Sequence, residues 1–253
     1  MDINGIAAIV TGGSSGLGAA TAEMLADQGA KVTLFDMNEE GGKAHAEKIG
    51  GKFIKVDVTN ENNVAEAVAE AKAAHGVARI LVNCAGIATG AKTVGKEFAT
   101  HPISQFRKTI EINLIGTFNV ITQFAARCAQ ADPLGEERGV IVSTASIAAF
   151  EGQMGQAAYS ASKGGVAGMT LPIARDLAQY GIRVMAIAPG IFYTPMMEGL
   201  PQNVQDALGQ QVPFPNRLGK PSEYALLVQS IINNPMLNGE TIRLDGAIRM
   251  PPR

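Results

Sequence analysis

The sequence predicts one doubly wound α/β domain spanning residues 1–253: a parallel sheet of seven strands with helices on both faces. Three observations predict it. Short runs rich in Val and Ile alternate with longer stretches of helical spacing, the order that βαβ units impose. The short runs are apolar at successive positions, which suits strands buried on both faces. No linker, repeat or low-complexity segment interrupts the chain, and 253 residues suffice for one large core.

In chain order, the strand-like runs are Ile6–Val10, Lys31–Phe35, Phe53–Val56, Arg79–Cys84, Gly139–Ser143, Ile182–Ala188 and Glu240–Leu244. Helical spacing marks Ala19–Gln28, Glu40–Ile49, Glu61–His75, Ser104–Ala129, Gln156–Tyr180 and Pro221–Asn233. Two regions break the alternation, 87–102 after the fourth run and 192–216 after the sixth. Both fall beyond the carboxyl ends of strands, where ligands bind in such sheets. The second carries Met196, Met197, Leu200, Val204, Leu208, Val212 and Phe214. That much apolar side chain must cover something, and a substrate lid over 192–216 is the expectation.

Composition narrows the function. The formal net charge is −2 and Trp is absent, which disfavours binding to nucleic acid or an anionic membrane. No apolar run approaches the roughly 18–20 residues that span a bilayer. The two cysteines, Cys84 and Cys128, have no metal or redox spacing, so reduced thiols and no metal site are expected. The N-terminus runs straight into a strand without a basic or amphipathic leader, and a cytoplasmic protein is expected.

The first strand ends in Thr11-Gly12-Gly13-Ser14-Ser15-Gly16-Leu17-Gly18, and a helix follows at once. Glycines let backbone turn tightly against a phosphate, and the helix N-terminus offers free amides to it. Alone the glycines would mark an ordinary strand–helix turn. Directly after the first strand they point to a dinucleotide site formed by Gly12, Ser15, Gly16, Leu17 and Gly18. Asp36 closes the second strand, 20 residues beyond Gly16. A carboxylate there accepts from ribose hydroxyls and repels a 2′-phosphate, and no basic residue follows it, so NAD is expected over NADP. Asp57 and Val58 end the third strand, and Asn83-Cys84-Ala85-Gly86 ends the fourth. All six are expected along the cofactor edge, with Cys84 as a small packed residue rather than a reactive thiol.

Tyr159 and Lys163 stand four apart at the start of a helix, on one face, and Ser146 stands 13 residues before Tyr159. A phenol with a pKa near about 10 is a poor base at neutral pH. A neighbouring ammonium lowers that value toward the working range of general acid–base catalysis. Tyr-x-x-x-Lys alone is as readily a surface pair. Ser146 and the glycine loop make the catalytic reading the stronger one.

The Thr11–Gly18 loop, Asn83 to Gly86, Asn113, Ser146, Tyr159, Lys163 and Pro189-Gly190 together resemble the short-chain dehydrogenase/reductase family, in order and over nearly the whole chain. The resemblance implies a Rossmann-type fold. It implies that Ser146 holds the substrate oxygen, that Tyr159 exchanges its proton and that Lys163 binds the nicotinamide ribose. It implies that Asn113 holds a water linking Lys163 to solvent. Pro189, Phe192 and Thr194 would border the nicotinamide, and the long helices 104–129 and 156–180 would build a homotetramer. Three stretches, Phe150 to Tyr159, Val212 to Gly219 and Ile242 to Met250, resemble a narrower group, the short-chain 3-hydroxyacyl-CoA dehydrogenases. In that group Gln153 faces the substrate thioester. The ending Met250-Pro251-Pro252 would pack at a subunit interface.

That narrower resemblance implies reversible oxidation of an (S)-3-hydroxyacyl-CoA by NAD. A second reading keeps the chemistry with a steroid or other secondary alcohol. A carrier-protein ketoreductase fits less well, because such enzymes usually prefer NADPH. A non-catalytic NAD-binding scaffold is a reading of another class, and scaffolds of this kind usually lose one of the Ser, Tyr and Lys that this chain retains.

Overall fold

In a computed structural model, residues 1–198 and 201–252 are described. The apolar runs form β1 (Ala7–Thr11), β2 (Lys31–Asp36), β3 (Lys52–Lys55), β4 (Ile80–Asn83), β5 (Gly139–Thr144), β6 (Ile182–Pro189) and β7 (Thr241–Leu244). They make one parallel sheet in the order β3-β2-β1-β4-β5-β6-β7. Register is continuous from Thr11 opposite Phe35 on one side to Thr11 opposite Asn83 on the other. The order reverses between β1 and β4, where the strand ends diverge and leave a crevice. Every residue of β1, β4 and β6 is buried, as runs apolar at successive positions demand. The edge strands β3 and β7 depart from that expectation, being largely half-buried because each is paired on one side only.

Side-chain alternation sends Ala7 and Ile9 to one face and Ala8 and Val10 to the other. On the first face pack α3 (Glu61–His75), α5 (Gly116–Cys128) and α6 (Ala157–Ala178), through Val64, Phe124 and Ile173. On the second pack α1 (Gly16–Asp27), α2 (Glu39–Lys48) and α9 (Pro221–Asn233), through Leu25, Ala46 and Val228. Arg183 lies inside the apolar run of β6 and is buried. It donates to Glu137 at 2.7 Å and to the carbonyls of Ile231, Ile232, Asn234 and Leu237, which closes the C-terminal end of α9.

The single helix expected over 104–129 is divided. α4 (Ile103–Ile110) and α5 flank a wider turn over Glu111–Ile115. At its centre the buried Asn113 accepts from the Ile87 amide and donates to the Ile87 carbonyl, both at 2.8 Å. A side chain anchored that firmly to a neighbouring loop accounts for the extra residue in the turn.

The expected lid also differs in detail. After β6 the chain forms α7 (Pro195–Glu198) and α8 (Gln202–Gln210), and it rejoins the body where Phe192 pairs with Gly219. Phe192 and Val212 are buried, whereas Phe214 is 83% exposed and Val204 faces solvent. Leu200 lies outside the described residues, as does the side chain of Met196.

Candidate active site

The crevice at the strand ends is a cleft of about 580 Å³, within the range of small-molecule sites. Backbone shape makes its floor. Gly12 turns at φ +64°, and a Cβ on it would lie 2.8 Å from the Ala85 amide nitrogen. A Cβ on Gly18 would overlap the carbonyl oxygen of Gly12. The three segments therefore close on one another only as glycine. α2 and α3 are capped by the side chains of Asn38 and Asn60. Ser15, at the N-cap of α1, makes no such bond, and the first turn of α1 holds no acidic residue. Its free amides and dipole face the cleft as an anion site.

Asp36 stands at the cleft wall. Its Oδ2 accepts from the Ser14 amide at 3.1 Å and the Ser14 hydroxyl at 2.6 Å, and its Oδ1 accepts from the Asn38 amide. A carboxylate has about four acceptor sites, so capacity remains for a ligand hydroxyl. Asp57 and Val58 also line the cleft. Among the described residues, Lys163 is the sole basic side chain on its walls.

The catalytic candidates meet at the inner end. β5 delivers Ser146, whose hydroxyl accepts from the Ala148 amide at 3.1 Å and opens a short helical turn. α6 delivers Tyr159 and Lys163, one turn apart. The Lys163 ammonium donates to the Thr144 carbonyl at 2.7 Å and stands 5.9 Å from the centre of the Tyr159 ring. Burial pushes Lys163 down to about 8. Burial also raises the Tyr159 phenol, and the Ser146 side chain acts in the opposite direction. The ammonium is directed at Thr144, and the bond from the Ser146 side chain favours the phenolate. A phenol, a hydroxyl and an amine at the inner end of a largely apolar cleft can pass a proton to or from a bound oxygen.

A family profile described as short chain dehydrogenase matches residues 6–205. The chain is also 57% identical to the human protein named 3-hydroxyacyl-CoA dehydrogenase type-2, over 99% of this chain and 97% of that one. It belongs to the short-chain dehydrogenase family. The fruit-fly protein of the same name is 53% identical, over 99% of this chain and all of its own length. A solved short-chain dehydrogenase, described as 3-hydroxyacyl-CoA dehydrogenase type-2 from Mycobacterium avium, superposes with a TM-score of 0.94 at 42% identity, over 98% of both chains.

Within this short-chain dehydrogenase the cleft gathers Gly12, Ser15, Gly16, Leu17, Gly18, Asp36, Asp57, Val58, Cys84, Ala85, Gly86, Tyr159, Lys163 and Thr194. Besides Asn113, five expected residues do not line the cleft, and of these Ser146 stays with the site through its side-chain bond to Tyr159. Asn83 is buried behind the wall, its amide on the Ser143 hydroxyl at 3.3 Å, because the strand turns its side chain away from the edge. Pro189 is buried at the end of β6 opposite Leu244. Phe192 lines a separate cavity of about 110 Å³ with Val212 and Gly219. Gln153 donates to the Pro251 carbonyl at 3.1 Å.

Asn113 stands beside Gly86 and Ile87 of the cleft wall. Its side chain serves Ile87 and Ser162, and its carbonyl accepts from the Thr117 hydroxyl. The thiol of Cys84 is pushed up by burial, in keeping with a packed residue. Sequence reasoning missed Thr144, Ile112 and Met37, which also face the cleft. Thr144 carried a signal, standing two residues before Ser146 at the end of a strand. The ending 250–252 lies on its own chain. Glu151 bonds Arg243 at 2.7 Å and Arg249 at 3.2 Å, Arg243 also bonds Asp245, and the Met154 amide donates to the Pro252 carbonyl. This clasp braces the loop between Ser146 and Tyr159. Among the described residues no cluster could hold a metal ion, and no helix is long and apolar enough to cross a membrane.

Proposed function

We propose that the protein oxidises (S)-3-hydroxyacyl-CoA to 3-oxoacyl-CoA reversibly, with NAD. The observation that carries this reading is the meeting of Tyr159 and Lys163 on the wall of an elongated cleft, with the Ser146 side chain bonded to Tyr159, in a chain that matches proteins of that name over 99% of its length.

The residues present fit NAD. Gly12 and Gly18 let the loop close tightly against Ala85 and on itself, and the free amides at the start of α1 suit a pyrophosphate. Asp36 suits ribose hydroxyls and opposes a 2′-phosphate, and Asp57, Val58, Ala85 and Gly86 line the wall around it. When bound, NAD supplies the hydride acceptor. The chain supplies the proton chemistry and the orientation. Ser146 donates to the substrate oxygen and fixes it beside Tyr159. Tyr159 Oη takes the hydroxyl proton during oxidation and returns it during reduction. The ammonium of Lys163 favours the phenolate through the field it adds to the cleft. Asn113 holds Ile87 in place at the cleft wall. Thr194 borders the same space, and the segment 192–216 shelters the acyl chain from water.

Assembly as a homotetramer belongs to this reading. Exposed Ile115 and Phe118 at the start of α5 and Leu171 on α6 give apolar faces for it. A cytoplasmic location does too, supported by the free thiols of Cys84 and Cys128.

The test is NADH formation by purified protein with (S)-3-hydroxybutyryl-CoA. Turnover that falls about a thousandfold in Tyr159→Phe, with NAD binding retained, is the expected result. Turnover confined to a steroid or simple secondary alcohol would keep the mechanism and replace the substrate.

A further inference from the structure

Lys163 is held by a carbonyl, and the carbonyl is itself held from the far side of the sheet. Thr144 closes β5, and its main-chain oxygen receives the Lys163 ammonium at 2.7 Å. Its hydroxyl donates to the Asn83 carbonyl at 2.7 Å, which ties β5 to β4 at the edge of the cleft. A hydroxyl has one proton to give. That proton is spent on Asn83, so the 2.8 Å contact between the Thr144 and Tyr224 hydroxyls has one direction: Tyr224 donates. The Cys84 thiol lies 3.8 Å from the Tyr224 oxygen and donates to it in turn. The result is a directed chain from Cys84 through Tyr224 and Thr144 to Asn83. Tyr224 is fully buried and comes from α9, on the opposite face of the sheet from the helix that carries Lys163.

We infer that Tyr224 is a positioning residue for Lys163: its hydroxyl, donated to Thr144, fixes the strand end whose carbonyl aims the ammonium into the cleft. The inference deepens the proposed function and rests on Lys163 serving the reaction. Burial holds the Tyr224 phenol well above its ordinary value, so it remains a donor throughout the working pH range. The titratable groups that face Lys163 are Tyr159 from α6 and Cys84 from the end of β4, with Tyr224 behind Thr144. Thr144 accepts from the ammonium, so it is the lever on which Tyr224 acts.

Tyr224→Phe keeps the ring packed and removes only the donor. Two readouts are taken on the purified holoenzyme and on the free protein. The first needs no substrate. The pH at which Lys163 becomes reactive toward acetic anhydride is followed by mass spectrometry of its peptide. The second is the pH profile of kcat with NAD and (S)-3-hydroxybutyryl-CoA. An ammonium with a less firmly held acceptor loses its proton more easily. The labelling midpoint of Tyr224→Phe is therefore expected to fall by about half a pH unit or more. The value of kcat near neutral pH is expected to fall about three- to tenfold, the weight of one hydrogen bond. Thr144→Val should lower the midpoint in the same way, and Thr144→Ser, which keeps the hydroxyl, should restore it. A midpoint unchanged in both Tyr224→Phe and Thr144→Val overturns the inference, because a hydroxyl that merely satisfies itself would leave Lys163 where it was. If the wild type turns over no hydroxyacyl-CoA, the proposed substrate fails, while the labelling midpoints still decide the role of Tyr224.

Discussion

The glycine cradle after β1 and the segment 192–219 meet at the cleft, Gly16 beside Thr194 and Pro195, and are built on different plans. In the cradle, backbone touches backbone: Gly12 against Ala85, Gly18 against Gly12. In the segment, side chains join the backbone contacts: the Phe192 ring lies against Gly219, and Arg217 and Glu223 form a two-pronged pair at 2.7 and 2.9 Å. A backbone cradle admits one ligand shape, because nothing in it can rotate aside. A wall of side chains can be refitted residue by residue. The difference teaches that the invariant part of the ligand belongs to the cradle and the variable part to the segment.

Gly18→Ala should break the cradle outright. The added Cβ overlaps the Gly12 carbonyl, and backbone must move to admit it. Titration with NADH should show affinity reduced roughly a hundredfold, or no folded protein at all. The same change in α8, at the exposed Gln202, should be silent in both readouts.

Lys163→Met sharpens the comparison where the two walls meet. Turnover should be lost, yet the protein should melt higher at neutral pH. The folded pKa near 8 lies below the unfolded one near 10.4, so the unfolded chain binds more protons between those values. Wild-type stability therefore rises with pH through that window. At pH 7 the buried ammonium costs on the order of 3 kcal/mol, which the Met variant recovers. Melting curves of both proteins at pH 7 and pH 10 would show the gap narrowing; a constant gap would refute the assignment.

Asp36→Ala tests the polar rim of the cradle. NADP should gain on NAD by about tenfold in kcat/KM, roughly 1.4 kcal/mol, once the carboxylate no longer opposes the 2′-phosphate. Glu223→Gln, at the base of the segment, should have the smallest effect, under about 1 kcal/mol because the pair is partly exposed. The Arg217 side chain holds Glu223 down to about 2. Its contribution is present above pH 4.5 and lost as pH falls toward 2, so wild type and variant should converge in acid melts.

The same contrast explains what could be read from the chain alone. Strand order, the glycine loop and the Ser146, Tyr159 and Lys163 set depend on local pattern and on spacing along one or two elements. Sequence states those directly. The expected helix over 104–129 failed to show its wide turn because the cause is Ile87, 26 residues away, capturing Asn113. Asn83 was expected to offer its backbone to the cofactor; its side chain turns onto Ser143, and Cys84, the residue after β4, is the first to line the cleft. The bond from the Gln153 amide to the Pro251 carbonyl, 98 residues on, has no local signal either. Tyr224 looks like any apolar residue on the inner face of a helix. Only the folded sheet brings its hydroxyl to Thr144.

The clasp of Glu151 with Arg243 and Arg249 has a consequence for how such a chain can change. Its halves are separated by 92 residues along the backbone yet share one set of charges. A segment exchange that imports a relative's 150–156 loop without its 243–252 ending would set two arginines against a foreign partner. The two stretches are heritable only as a pair. A library that recombines them together explores new acyl pockets, and one that cuts between them samples mostly broken loops beside Tyr159.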